Sequence, residues 1–114
     1  MNELDRYVSD GNITLYVDQL RRETDPHRRE KIKQLLIREE TLFAATIDRL
    51  HMLDRHNADG EEIIARQTCL VARLKSNGSD ATAAECALRT FKMIQDLLFS
   101  FRLRIHEKIE RQRP

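Results

Sequence analysis

Residues 74–105 read LKSNGSDATAAECALRTFKMIQDLLFSFRLRI, and the architecture is decided there. Gly78 suits the left-handed backbone that ends a helix, and Asp80 or Thr82 can cap the helix that follows. Thr82-Ala83-Ala84-Glu85 also has the form of a capping box, in which hydroxyl and carboxylate satisfy the first orphan N–H groups reciprocally. Beyond the turn, Ala84, Ala87, Phe91, Ile94, Leu98, Phe101 and Ile105 alternate spacings of three and four, the heptad seam of a coiled coil. The last helix therefore runs from about 81 to 111. Upstream, Ile63, Ile64, Leu70, Val71 and Leu74 supply an apolar stripe for it to fold back on. The pattern predicts an antiparallel helical hairpin, and residues 58–114 form the C-terminal unit.

Toward the N-terminus the same helical period continues. Residues 1–11 read as a frayed end or short polar lead-in, and Asn12 is placed to cap a first helix. Ile13, Tyr16, Val17 and Leu20 then share one helical face. Glu23-Thr24-Asp25-Pro26 stops that helix and starts the next, with Asp25 as cap and Pro26 in the first turn. The second helix carries Ile32, Leu35, Leu36, Leu42, Phe43, Ile47, Leu50 and Leu53, spread widely enough to be contacted from two sides. At Asn57-Ala58-Asp59-Gly60-Glu61-Glu62 two outcomes are open. Asp59 and Glu62 resemble a capping box that restarts a helix after a break, yet one Gly inside a long helix costs only about 1 kcal/mol. A kink or short break is the expectation, closing an N-terminal helical hairpin over 1–57.

Composition agrees with an all-α chain. Gly and Pro number only 3 and 2 in 114 residues, too few breakers for a many-turned β fold. With 40% hydrophobic and 34% charged residues, the chain is apolar enough for a core and polar enough for elongated helices. The fold expected is a short N-terminal helical hairpin followed by a long antiparallel one, bundle- or coiled-coil-like.

Charge narrows the partners. The formal net charge is +1 and both signs are spread over both halves, without the basic stripe of a dedicated nucleic-acid binder. Nowhere do about 18 apolar residues run together, as a membrane span needs. The first residues, MNELDRYVSDGN, are acidic and polar, unlike a signal peptide. Two cysteines make no disulfide framework, so a reducing cytoplasm is the expected setting.

Two stretches carry a family resemblance. LRRETDPHRREKIKQLLIREETLF (20–43) resembles the short helix, Thr-Asp-Pro turn and Leu-Leu-x-x-Glu-Glu helix of small, uncharacterised all-helical proteins of alphaproteobacteria. IARQTCLVARLKSNGSDATAAECALRTF (64–91) resembles their C-terminal helical hairpin. The turn in those proteins commonly reads Asp-Gly-His-Asp-Thr; here it is Asn77-Gly78-Ser79-Asp80-Ala81, so no role for a turn histidine carries over. The resemblance implies an architecture and a bacterial cytoplasmic setting. It supplies no catalytic residue.

Candidate chemistries are thin. A bundle di-iron site uses Glu-x-x-His on two helices, and only Asp48/His51 approaches that spacing, with the shorter acid and no second copy. His51 and His56 lie five apart, roughly 140° around a helix, so they do not share a face. No metal and no cofactor are expected. Cys69 and Cys86 flank Gly78 at similar distances, but their helix positions make them small flank thiols rather than a facing redox pair. No catalytic residue is assigned, and the chain reads as a non-enzyme.

Basic residues gather around the Asp-Pro turn, within 21–33, and along Arg102, Arg104, Lys108, Arg111 and Arg113. Either group could touch phosphate, but solvated faces paired with nearby acids are the preferred account, and no helix-turn-helix spacing or aromatic stacking platform supports nucleic-acid binding. The unusual feature is Phe91–Ile105, where nine of fifteen residues are apolar and point in most directions. Phe91, Ile94, Leu98, Phe101 and Ile105 fill the hairpin seam; Met93 and Leu97 lie on one side of it, Phe99 and Leu103 on the other. A helix apolar nearly all round must be covered nearly all round. The interface set is therefore Phe91, Ile94, Leu98, Phe99, Phe101, Leu103 and Ile105, and a homodimer closed by this helix is expected. The function expected is a small oligomeric interaction or adaptor protein. The alternatives are a nucleic-acid-associated regulator using 21–33 and a helical-bundle metal protein or enzyme.

Overall fold

The computed structural model describes residues 3–42 and 47–112. Those residues form four helices: α1 (Glu3–Arg22), α2 (Pro26–Leu42), α3 (Ile47–Ser76) and α4 (Thr82–Arg111). The α1/α2 and α3/α4 pairs each pack as a hairpin, and α1 also packs on α4. The result is an all-α bundle, 58 × 27 × 18 Å along its principal axes.

Both predicted turns form by the chemistry their residues suggest. Asp25 accepts the Arg28 N–H through its carboxylate at 3.2 Å, and Pro26 opens α2, where a missing N–H costs nothing. At the second turn Gly78 adopts φ 69°. The Ser79 N–H reaches Leu74 O at 2.9 Å and the Gly78 N–H reaches Lys75 O at 3.1 Å, the paired bonds of a Schellman motif. The capping box at 82–85 does not form. Ala81 takes the N-cap position, and the Asp80 carboxylate accepts the Thr82 N–H at 2.9 Å and its hydroxyl at 2.7 Å. Those two donors hold the Asp80 carboxyl below its ordinary value.

Two helix boundaries differ from expectation. α1 begins at Glu3 rather than near Asn12, because Ser9 and Asp10 are held by a side chain from α3. Asn12 lies within α1, where its amide donates to Glu39 of α2 at 3.3 Å. Of the helix expected to run from Pro26 past Leu53, the described residues form α2 up to Leu42 and α3 from Ile47, and residues 43–46 between them, Phe43 included, lie outside the described residues. And α3 passes through Asn57–Gly60 without a break.

Core residues come from all four helices: Ile13, Val17 and Leu20 on α1, Leu36 on α2, Met52 and Leu53 on α3, and Ile94, Leu98, Phe101 and Ile105 on α4. Burying each such side chain is worth roughly 1.5–3 kcal/mol, so this cluster is the main cohesive term. Toward the Gly78 turn the α3/α4 hairpin thins, with Ile63, Ile64, Leu70 and Leu74 only half-buried.

At the opposite end a polar chain crosses the bundle. Arg49 of α3, 2% exposed, donates to Ser9 Oγ at 2.7 Å, Asp10 Oδ1 at 3.1 Å and Glu40 O at 3.2 Å. The buried Glu40 carboxylate in turn pairs with Arg104 of α4. Four helices are thereby tied through two arginines.

Candidate functional site

The residues expected at an interface divide into two groups. Ile94, Leu98, Phe101 and Ile105 are buried within the chain's own core, and Phe91 is half-buried. Met93 and Leu97 pack against the same core from its edge. Phe99 and Leu103 remain open, 45% and 61% exposed. Their positions on the helix explain the difference. With 100° per residue, Phe99 and Leu103 lie opposite the direction shared by Ile94, Leu98, Phe101 and Ile105. The core side of α4 is covered by the rest of the chain and the outer side carries two large apolar groups.

A second outer face occurs on α1, where Leu4, Tyr7, Val8 and Leu15 are exposed. These too point away from the helix's buried side, which is Ile13, Val17 and Leu20. Tyr7 and Val8 border an open groove of about 660 Å³ between α1 and α3, where Thr14, His51, Met52 and Arg55 form much of the wall.

Between the two hairpins lies a buried polar layer that the sequence reading did not find. The His56 ring Nε2 lies 3.1 Å from the Thr14 hydroxyl, and Arg21 donates to His56 O at 3.0 Å. Gln95 of α4 donates through Nε2 to Asn57 O at 2.8 Å, beside Gly60. His56 Nδ1, both amide atoms of Asn57 and Gln95 Oε1 have no hydrogen-bond partner among the described residues. The signal in the sequence was Asn57-Ala58-Asp59-Gly60 itself: polar residues and a Gly, read as a local break, that instead mark a polar level within a continuous helix.

Burial lowers the His56 pKa below its ordinary value, and the nearby Arg21 cation pushes the same way, while Asp18 and Asp59 oppose. Between the depressed value and the ordinary 6.5, the unfolded chain binds a proton that the folded chain does not. Stability therefore falls as pH drops through that window, with a limiting slope of about 1.4 kcal/mol per pH unit for one proton. Urea unfolding at pH about 7, 6 and 5 should show a steeper acid loss for wild type than for His56→Gln. Equal slopes would remove His56 as the cause.

The basic segment at 21–33 is partly committed to holding the fold. Arg21 ties to His56, Arg29 donates to the Thr90 hydroxyl at 2.7 Å, and Arg28 lies 3.9 Å from Asp25. Cys69 and Cys86 are both free and exposed. Among the described residues no group of three His, Cys, Asp or Glu side chains is placed to hold a metal ion, and no helix is long and apolar enough to cross a membrane. Compared with protein-family models, with curated proteins and with solved structures, the chain matches none.

Proposed function

We propose that this chain is a non-enzymatic helical interaction protein that self-associates, working in the cytoplasm through the outer faces of its helices. The observation carrying this reading is the exposure of Phe99 and Leu103 on a side of α4 that no described residue fully covers. Full burial of such a side chain is worth roughly 1.5–3 kcal/mol, and with about half of each still in water the pair together forgoes about that much, a sizeable part of a small domain's stability. A partner restores it, and soluble oligomers most often close with two-fold symmetry. Two exposed thiols suit a reducing compartment. The near-neutral charge and the internal use of Arg21 and Arg29 favour a protein partner over nucleic acid.

Sedimentation equilibrium tests the reading. Wild type at high micromolar concentration is expected to exceed the 13.5 kDa of one chain. Phe99→Glu/Leu103→Glu should return it to monomer while helical circular dichroism is retained. A wild type that remains monomeric defeats the proposal.

A further inference from the structure

The outer face of α4 carries more than two apolar residues. Lys92, Asp96, Phe99, Leu103, His106 and Glu110 follow one another at spacings of four, three, four, three and four. That is the repeat of a coiled-coil seam, running along the helix side opposite the core. All six residues are exposed. The bundle therefore has a second seam on the same helix, apolar at its centre and charged toward both ends.

The charges on this seam are ordered about its midpoint. Phe99 and Leu103 lie two residues either side of Phe101, Asp96 and His106 five, and Lys92 and Glu110 nine. Each acid is matched across the midpoint by a basic or imidazole group, and each apolar residue by an apolar one. An antiparallel pair of identical helices related by a two-fold axis brings together residues equally far from that axis. In such a pair a contact made by one copy is made again by the other. Laid antiparallel about Phe101, Lys92 of one copy meets Glu110 of the other, Asp96 meets His106, and Phe99 meets Leu103. Each of these matches occurs twice. Laid parallel in register, every residue meets itself, so that Lys92 faces Lys92, Asp96 faces Asp96 and Glu110 faces Glu110. Like charges would then oppose one another at three levels, an arrangement that disfavours the pairing. The charge order thus selects both the partner and its direction.

We infer that the occupant of the outer α4 face is a second copy of this chain, bound antiparallel about a two-fold axis at the level of Phe101. The inference rests on the self-association proposed above and specifies its geometry. Phe99 and Leu103 form the dry centre, while Lys92 and Glu110 close the two ends and set the register. Arg102, on the flank of this seam, is already paired with Asp54 of α3 and needs no partner from the second copy.

Engineered thiols test the direction. In a Cys69→Ser/Cys86→Ser background, Lys92→Cys and Glu110→Cys chains are prepared separately, then mixed and oxidised mildly. Antiparallel pairing predicts a disulfide joining the two variants in the mixture and little cross-linking of either alone, because two copies of position 92 lie about 27 Å apart along the axis. Efficient disulfides within each single variant, with none preferred in the mixture, would overturn the antiparallel arrangement. Charge reversal supplies a second readout. Lys92→Glu and Glu110→Lys should each weaken the dimer about tenfold or more at low ionic strength, and the two together should restore it to within about threefold. Failure of the double reversal to restore pairing would also overturn the register. Both single variants should keep wild-type helicity, which separates a lost interface from a lost fold. If wild type is a dimer that Phe99→Glu/Leu103→Glu dissociates while these two tests fail, only the antiparallel geometry falls. If wild type is monomeric, the self-association reading falls with it.

Discussion

Arg49→Ala is expected to destabilise the protein by about 3 kcal/mol, the lower edge of what removing one partner from a buried ion pair costs. Arg49 is buried and reaches Ser9, Asp10 and the Glu40 carbonyl on two other helices. Truncation leaves Ser9, itself fully buried, with its hydroxyl short of a donor, and leaves the Glu40 carbonyl without its side-chain donor. The Asp10 side chain is 29% exposed, so water compensates part of its loss and keeps the cost at the lower edge. Arg49→Lys should recover only a fraction, because an ammonium cannot reproduce a fork that reaches three acceptors at once. Urea unfolding of the three proteins measures this directly. A loss below about 1 kcal/mol for Arg49→Ala would mean the network is ornamental to stability. Since a domain of this size is stable by only about 5–15 kcal/mol, the expected loss is large, and it should fall hardest on α1, whose first three turns Arg49 anchors.

That anchoring also explains what was legible in the sequence and what was not. The turns at Asp25–Pro26 and Gly78 were readable because their causes are local: a fixed proline φ, a left-handed glycine and a carboxylate within three residues of the N–H it accepts. The seam of α4 was readable for a similar reason, since helical period alone separates Ile94, Leu98, Phe101 and Ile105 from Phe99 and Leu103. The start of α1 was not. Residues 3–11 contain a glycine, and their apolar residues Leu4, Tyr7 and Val8 face away from the core; their helix is secured by Arg49, distant in sequence and supplied by α3. No local rule sees that contact. Within the seven α4 residues of the expected interface, period gives two directions, but only the packing of the other helices, α3 foremost, decides which direction the chain itself covers.

Asn57–Gly60 is the clearest case of local chemistry overruled from a distance. Asp59 and Glu62 have the spacing of a capping box, and Gly60 weakens a helix, so a break was the natural local reading. The structure keeps the helix and uses the glycine as space. Gln95 of α4 lies across Gly60 and donates to Asn57 O at 2.8 Å, which a side chain at position 60 would obstruct. A residue read as punctuation is in fact a site of close approach between helices.

At position 60 the sign of a substitution is expected to depend on a second residue. A Cβ at position 60 would overlap Gln95 Oε1, lie 3.0 Å from Gln95 Cδ and lie 3.2 Å from Arg21 Nη2. Gly60→Ala should therefore displace the Gln95 amide from a buried position and break its bond to Asn57 O. Overpacking of this kind costs about 1–3 kcal/mol, against which the better helix propensity of Ala returns up to about 1 kcal/mol. The single variant is expected to be destabilised. In a Gln95→Ala background the obstructing amide is gone, together with its unpartnered oxygen, and only the propensity term and the milder Arg21 contact remain. Gly60→Ala should there be neutral or stabilising. The double-mutant cycle should show a coupling of about 1–3 kcal/mol, well above the scatter of independent sites. Urea unfolding of the four proteins at one pH gives the four free energies required. If Gly60→Ala has the same effect in both backgrounds, Gln95 does not occupy the space that the glycine opens, and the continuity of α3 through this level has another cause.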